Sequence, residues 1–462
     1  MLTRLRLENF KSWKDTGNIK FRPITGFFGP NSSGKTSLLQ PLLLMKQTVQ
    51  SPDRGRALFH FGDDRALVDL GDFESVVRGH DTERHLGFSV DWQVKLSCEL
   101  PDAIGGGSMT EGLDMRFEVQ AGMGLSLTGQ SLMLREMSYH LHDGRRFGMK
   151  STTEKLGYEV FAPGGDGRTV RHRSEPPSPL GSVTRFYDFP HWALKPFGDS
   201  NIFFDVQYDL QLFLADIHHL GPLRAKPRRI YARSGVHPLD VGSAGEWVVD
   251  AIVSSRERGQ IMLLDGELAR FGHIEDSVSR WLKRLGLAEK LEVRPLTQNK
   301  KWYEVGISRT THATRVAITD VGIGVSQILP VLVLCNYIPA DSTLLLEQPE
   351  IHLHPSVQAR LADVFIDAYQ REGIQVVFES HSEHLLRRLQ RRVAEGAVSE
   401  DDISLFFCST HEHGESAIEE LEVDEFGHIA NWPKDFFGDQ FGEVAAMSEA
   451  SLSKMEQRNR QE

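Results

Sequence analysis

The chain has 462 residues, 40% of them hydrophobic and 25% charged, and a formal net charge of −12. That is room for two or three ordinary globular domains; no apolar run approaches the roughly 20 residues that span a bilayer, and the acid balance excludes a protein that grips nucleic acid over its whole surface. The three cysteines, Cys98, Cys335 and Cys408, are far apart and lack metal-ligand spacing, which is the usage expected of reduced thiols in a cytoplasm.

Residues Met1 to Leu7 alternate polar and apolar, the pattern of a first strand rather than a secretion signal. Leu2 to Phe10 and Ile19 to Phe28 read as paired strands that lead into Gly29-Pro30-Asn31-Ser32-Ser33-Gly34-Lys35-Thr36-Ser37. This stretch fits the phosphate-loop pattern G-x-x-x-x-G-K-[ST] without a mismatch. The spacing has a physical basis. Gly29 and Gly34 let the backbone curl so that its N–H groups face phosphate oxygens. Lys35 brings a compact charge to the outer phosphates, and the Thr36 hydroxyl is placed to ligate Mg²⁺. A mostly apolar helix is predicted from about Lys35 to Gln50, its positive dipole end aimed at the same phosphates and Pro41 tolerated in its first turns.

Further on, Ala66 to Glu74 reads as a strand and turn. Residues 86–215 alternate short apolar strands with Gly, Pro and Asp turns such as Gly105-Gly106-Gly107, and Pro163 to Gly181 reads as an exposed, mobile loop. From about 207 to 290 the spacing turns helical; strands return at Leu291 to Pro295 and Trp302 to Ser308. From Ala317 onward helix and buried strand alternate, as in an α/β core. The span from Thr36 to Gly322 is far longer than one crossover connection and requires a substantial insertion.

The second half of a nucleotide site follows. Thr343 to Glu347 is an apolar run ending in an acid, and in a phosphate-loop fold such a strand lies beside the loop and delivers a carboxylate to Mg²⁺. Gln375 to Glu379 is another buried strand, ending in Ser380-His381-Ser382, where a histidine can reach the γ-phosphate. His352, His354, His381 and His384 have a spacing that zinc sites also use, but one pair falls in the turn after the acid and the other flanks the switch position, which favours the nucleotide reading. Two basic groups, Arg224, Lys226, Arg228, Arg229 and Arg233, and Arg387, Arg388, Arg391 and Arg392, offer contacts to DNA phosphates; pairing with the chain's own acids is the simpler use.

Four motifs occur in order: Gly29 to Thr36, Asp320 to Gln327, Glu347 to Pro355, and Glu379 to Ser382. With Leu5 to Ser12 they resemble the ABC-type ATPases of the SMC/RecF-like group, close to the ATPases of bacterial anti-phage and overcoming-lysogenization-defect systems. The resemblance covers roughly residues 1–75 and 317–435. It implies an α/β, ABC-type P-loop ATPase head with a β-rich plus helical insertion between Walker A and the signature motif. The domain reading is therefore an ATPase core at 1–80 and 310–425, a β-rich insertion at 81–215, a helical or mixed insertion at 216–309, and an aromatic C-terminal module and tail at 426–462, hooked onto the core by Trp432, Phe436 and Phe437.

The resemblance implies ATP and Mg²⁺ as cofactors. Gly29, Asn31, Ser32, Ser33, Gly34, Lys35, Thr36 and Ser37 would hold the nucleotide. Thr36 and Glu347 would hold the metal, and His381 would be the switch histidine. Gly322, Gly324, Ser326 and Gln327, in the signature motif, would cap the ATP of a second copy in a head-to-tail dimer. The chain departs from the group's pattern in three ways. Its signature is not a strict Leu-Ser-Gly-Gly-Gln. The loop Leu67 to Val76, where the group carries a glutamine, offers only Asp69 and Asp72. Gln348 stands at the catalytic glutamate position. A glutamine orients water but takes no proton, and general-base catalysis is typically worth about 10²- to 10⁴-fold, so hydrolysis is expected to be slow. Glu350 is the candidate substitute base, or a cap on the following turn.

The expected function is a cytoplasmic, ATP-dependent dimeric switch that controls an effector such as a nuclease or toxin, in anti-phage defence by family analogy. Alternatives are a DNA-binding repair or chromosome-processing ATPase, and a hydrolysis-dead ATP-binding scaffold. No membrane partner is expected.

Overall fold

The computed structural model describes the chain apart from residues 53–57, 64–65, 96–97, 100–107, 110–111, 127–128, 153–156, 164–168, 175–182, 184, 196–201, 259–261, 265–266, 270–272, 311–313, 412–413, 434–435, 437–439 and 460–462. The Gly105 turn lies outside the described residues, as do Phe437 and most of the loop expected at 163–181. Within that expected loop, Thr169–Ser174 is a strand paired to Tyr158–Pro163.

Two sheets organise the fold. The first has six strands in the order Ile217–Leu220, Thr343–Glu347, Gln375–Glu379, Ile24–Phe28, Ile403–Thr410 and Ser416–Leu421. The first five are parallel and the last is antiparallel. Parallel strands are covered on both faces, which is why Thr343–Glu347 and Gln375–Glu379 are buried at every position and carry three consecutive apolar residues before their closing glutamates. One face carries the helices Val248–Arg258, Ile323–Tyr337, Pro355–Glu372 and Glu383–Ala394, packed through residues such as Leu344, Val376, Phe378 and Leu405. The other carries the loop helix Lys35–Gln50, which passes through Pro41 without ending. That helix is sandwiched between Phe27, Leu345, Val377 and Phe406 of the parallel sheet and the apolar face of the second sheet.

The second sheet is antiparallel and nine-stranded. It runs from Thr169–Ser174 through Tyr158–Pro163, Arg146–Ser151, Gly129–His140, Asp114–Ser126 and His85–Gln93 to Leu2–Phe10, which also pairs with Trp13–Asp15 and Ile19–Lys20. Gln375 ties the two sheets: its side-chain amide accepts from the Leu2 N–H (2.9 Å) and donates to the Leu2 carbonyl (2.7 Å).

This arrangement revises the expected boundaries. The strands assigned to a β-rich insertion continue the sheet begun by Leu2–Phe10, because Leu5 pairs with Val90. Ile217–Leu220, expected in a helical insertion, is the edge strand of the parallel sheet. A four-residue strand, Ile217-His218-His219-Leu220, directly after a helix has neither an apolar run nor a period of its own, so its pairing is visible only in three dimensions. Leu2–Phe10 and Ile24–Phe28, expected to pair, lie in different sheets. Ala66–Glu74 is irregular before the one-turn helix Phe73–Val76, which Asp72 caps through the Ser75 N–H (2.8 Å).

The aromatic C-terminal module is hooked to the core. Phe436 is buried, with ring centroids 4.8 Å from Phe407, 5.0 Å from Trp432 and 6.1 Å from Phe28. The Arg387 guanidinium lies over the Trp432 ring at 4.4 Å. The helix Gln440–Asn459 follows.

Candidate nucleotide site

The loop between Phe28 and Lys35 has the conformation its glycines permit. Gly29 (φ 139°) and Gly34 (φ 90°) sit at positive φ, and Ser32 at 61°. A Cβ on Gly29 would stand 2.1 Å from the Cys408 carbonyl, and one on Gly34 would stand 2.6 Å from the Ser416 hydroxyl, so each is excluded by contact as well as by strain. Gly34 caps the loop helix without a side-chain hydrogen bond, leaving the first-turn N–H groups for an anion. Trp13 Nε1 donates to the Gly34 carbonyl at 3.2 Å and fixes the loop from behind.

Lys35 is buried and folded back: its Nζ donates to the carbonyls of Pro30 (2.7 Å) and Gly29 (3.0 Å). Burial pulls its pKa below the usual lysine range, opposed by Glu379 and Glu350. Around it lies a cavity of about 340 Å³ lined by Asn31 to Ser37, Gln348, Glu379 and His381, with Lys11 and Ser12 from the first β-turn. Burial, then Lys35, lowers the His381 pKa.

The acid wall is built by two strand ends. Glu347 closes Thr343–Glu347 and Glu379 closes Gln375–Glu379, and the two are direct register partners. After Glu347 the chain turns tightly, with Gln348 (φ 44°) and His352 (φ 60°) both left-handed. The Gln348 N–H donates to the Glu379 carbonyl at 3.1 Å, which places the glutamine at the cavity. Glu347, Glu350 and Glu379 are all buried. Glu379 Oε2 accepts from the Thr36 hydroxyl at 2.7 Å. Glu347 Oε1 pairs with His219 Nε2 at 2.7 Å. Glu350 Oε1 accepts from the His381 N–H at 2.7 Å, while its Oε2 is buried without a hydrogen-bond partner. Burial raises the Glu350 pKa; burial with repulsion from Glu347 and Glu350 pushes Glu379 up to about 7, against the pull of Thr36 and Lys35. Arg224 donates weakly to the Glu347 carbonyl at 3.5 Å, and burial brings its pKa down to about 10.

The structure thus brings together the phosphate loop, Gln348 and His381. It corrects two local expectations. The strand directly beside the loop strand is Gln375–Glu379, with Thr343–Glu347 one place further out. Glu350 does not cap the next helix: His354 does, its Nδ1 accepting from the Ser356 N–H at 3.3 Å. Glu350 instead bridges to the switch segment. Among the described residues no three His, Cys, Asp or Glu side chains group to hold a metal ion by themselves, so the histidines form no zinc cluster.

Sequence reasoning gave Glu379, His219, Lys11 and Ser12 no role. Glu379 had a signal, a carboxylate closing a buried strand two residues before His381. His219 had none, since its partner lies 128 residues away.

The signature segment lies elsewhere on the chain. Gly322 and Ile323 are exposed at the N-terminus of Ile323–Tyr337, beside a cavity of about 520 Å³ that shares no lining residue with the loop cavity. Ser326 and Gln327 are turned inward, the Ser326 hydroxyl bonded to the Ile323 carbonyl at 2.8 Å. Gly322 and Ile323 are the exposed part of this stretch, and Gly324 beside them is half-buried. The arginines are largely spent within the chain: Arg388 and Arg392 on Asp363, Arg391 on Glu395, Arg229 on Asp320 and Arg233 on Glu257. Asp69 and Asp72 do not reach the loop cavity.

Three family descriptions match separate parts of the chain. Residues 1–104 match the family described as "AAA ATPase domain", and residues 239–387 match "AAA domain, putative AbiEii toxin, Type IV TA system". Residues 398–447, which include the aromatic module, match a family described as "Protein of unknown function (DUF3696)". No curated protein sequence matches the chain. Solved structures similar to it include an Smc head bound to the C-winged helix domain of ScpA, with 11% identity, TM-score 0.43, and coverage of 92% of this chain and 98% of that one. The SMC head domain from Thermotoga maritima gives 13%, 0.36, 91% and 99%, and an Smc head from Pyrococcus furiosus, bound to the C-terminal domain of ScpA, gives 12%, 0.39, 91% and 96%. These likenesses are distant, and the fold assignment rests on the strand order and loop geometry described above.

Proposed function

We propose that this chain is an ATP-binding, slowly hydrolysing ATPase that acts as a nucleotide-dependent switch. The match of its first 104 residues to an ATPase domain supports the nucleotide. The observation that carries the reading is an intact phosphate loop whose cavity is lined by Gln348, the residue directly after Glu347, where a glutamate would serve as base. The loop N–H groups and Lys35 bind the triphosphate, with Lys35 exchanging two loop carbonyls for phosphate oxygens. Gln348 orients water without accepting its proton, and His381 contacts the outer phosphate. Mg²⁺ would supply the charge neutralisation that phosphoryl transfer needs. The donor set suits it: hard oxygen ligands from Thr36 and the acid wall, and a buried Glu350 oxygen still without a partner. By motif order the metal-linked acid is Glu347.

Gly322 and Ile323 are exposed and line no part of their own chain's loop cavity, which supports a head-to-tail dimer in which this segment seals a second copy's ATP. The switch would act on an effector such as a nuclease or toxin, in defence against phage by family analogy; the family matched by residues 239–387 is itself described with a toxin–antitoxin system. The arginines' engagement with the chain's own acids leaves DNA binding the less favoured reading.

The test is native mass measurement with and without ATP, on wild type and Lys35→Ala. Wild type should shift from monomer to dimer mass with ATP, and Lys35→Ala should not. A mass that never responds to ATP would end the switch reading.

A further inference from the structure

The acid wall holds three carboxylates, and they are not equivalent. Only Glu379 touches the phosphate loop, through the Thr36 hydroxyl at 2.7 Å, and only Glu379 of the three lines the loop cavity. Its strand lies immediately beside the loop strand, with Glu379 opposite Phe27. Glu347 is Glu379's register partner on the next strand out, so its backbone lies about 4.8 Å further from the loop. The Glu347 carboxylate faces His219 of the outermost strand at 2.7 Å. His219 meets Glu347 through Nε2, while its Nδ1 is buried without a hydrogen-bond partner.

A hydroxyl has one proton and two lone pairs. By accepting the Thr36 proton, Glu379 aims that proton at the acid wall and leaves the lone pairs of Oγ1 for a cation. The same contact keeps a carboxylate beside those lone pairs. Glu347, committed to His219, does neither.

We propose that Glu379, rather than Glu347, is the acid that works with Thr36 in binding Mg²⁺: it orients the threonine hydroxyl and contributes the adjacent carboxylate. Glu347, fixed by His219, supports the wall from behind. This rests on the nucleotide-binding reading above, and it moves the metal-linked acid from the motif's own strand to its neighbour. Glu379 acts through Thr36 and the metal, so its loss should appear in metal dependence before it appears in nucleotide affinity as such.

The experiment titrates full-length protein with a fluorescent N-methylanthraniloyl-ATP, once in excess EDTA and once in excess Mg²⁺. Wild type should bind more tightly with Mg²⁺. Glu379→Gln should bind at least as well as wild type in EDTA but lose about 10- to 100-fold of the Mg²⁺ gain. Glu347→Gln should lose less of it. Thr36→Val, which keeps the side-chain shape, should match Glu379→Gln, and the double variant should lose no more than either alone. If Glu379→Gln fails to fold, the comparison of Thr36→Val with Glu347→Gln still decides, since a Glu347→Gln loss equal to that of Thr36→Val overturns the assignment. A Glu379→Gln protein with its full Mg²⁺ gain also overturns it. Lys35→Ala separates the two levels: it should lose nucleotide in both buffers. If wild type itself binds no nucleotide, the function reading falls and this inference with it.

Discussion

The backbone N–H of Gln348 donates to the carbonyl of Glu379 at 3.1 Å. This bond ties the first residue after one buried strand to the last residue of the next. It holds the glutamine side chain at the loop cavity although Gln348 lies in a left-handed turn. Gln348→Glu should therefore place a carboxylate at the attacking water without moving the backbone. Turnover should rise by about tenfold or more, read as phosphate release under saturating ATP. Unchanged turnover in a variant that still binds ATP would count against slow hydrolysis being caused by this residue.

Gly322 tests the dimer. It starts Ile323–Tyr337 at φ −55°, and a Cβ there would meet no atom within 4 Å. Aspartate is also a favourable residue at a helix N-cap. Gly322→Asp should thus leave the monomer's melting temperature unchanged or slightly higher, while setting a negative charge against the partner's triphosphate. Sedimentation velocity with ATP should show the dimer lost. An ATP-dependent dimer of normal strength would place the seal elsewhere.

Asp363 gives a pH dependence. Burial alone would raise its pKa, but hydrogen bonds from Arg388 and Arg392 outweigh burial and hold the carboxylate below its usual range. A depressed folded-state pKa means stability that is fully present above the unfolded value near 3.8 and is lost as pH falls through the folded value. Asp363→Asn should cost about 2 kcal/mol at pH 7, measured by urea unfolding. The deficit against wild type should shrink below about pH 4 as the native carboxylate becomes protonated.

Phe436 joins the C-terminal module to the residue that precedes the phosphate loop, through its edge contact with Phe28. Phe436→Ala should lower stability by about 3 kcal/mol. It should also weaken nucleotide binding, because Phe28 anchors the strand that feeds Gly29. A stability loss with normal nucleotide affinity would mean that the module only covers the core.

The chemistry of the loop was legible because it is local. Gly29, Gly34, Lys35 and Thr36 are eight residues from first to last, and their backbone geometry follows from which residues tolerate positive φ. The buried strands Thr343–Glu347 and Gln375–Glu379 were legible too, since a strand centre covered on both faces is apolar on both, with polar residues only at its ends. The edge strand Ile217–Leu220 was not: four residues after a helix carry no period, and the segment resembles the helical stretch around it. Likewise, the β-rich segment read as a separate insertion because nothing in its own residues announces a partner as distant as Leu2–Phe10.

By itself, then, the sequence determined a phosphate-binding loop, a set of strand-end acids and a glutamine among them, because residue types and short spacings set those properties. The tertiary structure alone decided which acid faces the threonine. Strand order is a property of packing, and it put Gln375–Glu379 between the loop strand and Thr343–Glu347. That order gave Thr36 to Glu379 and left Glu347 to His219, while the packing of helix Ile323–Tyr337 buried Ser326 and Gln327.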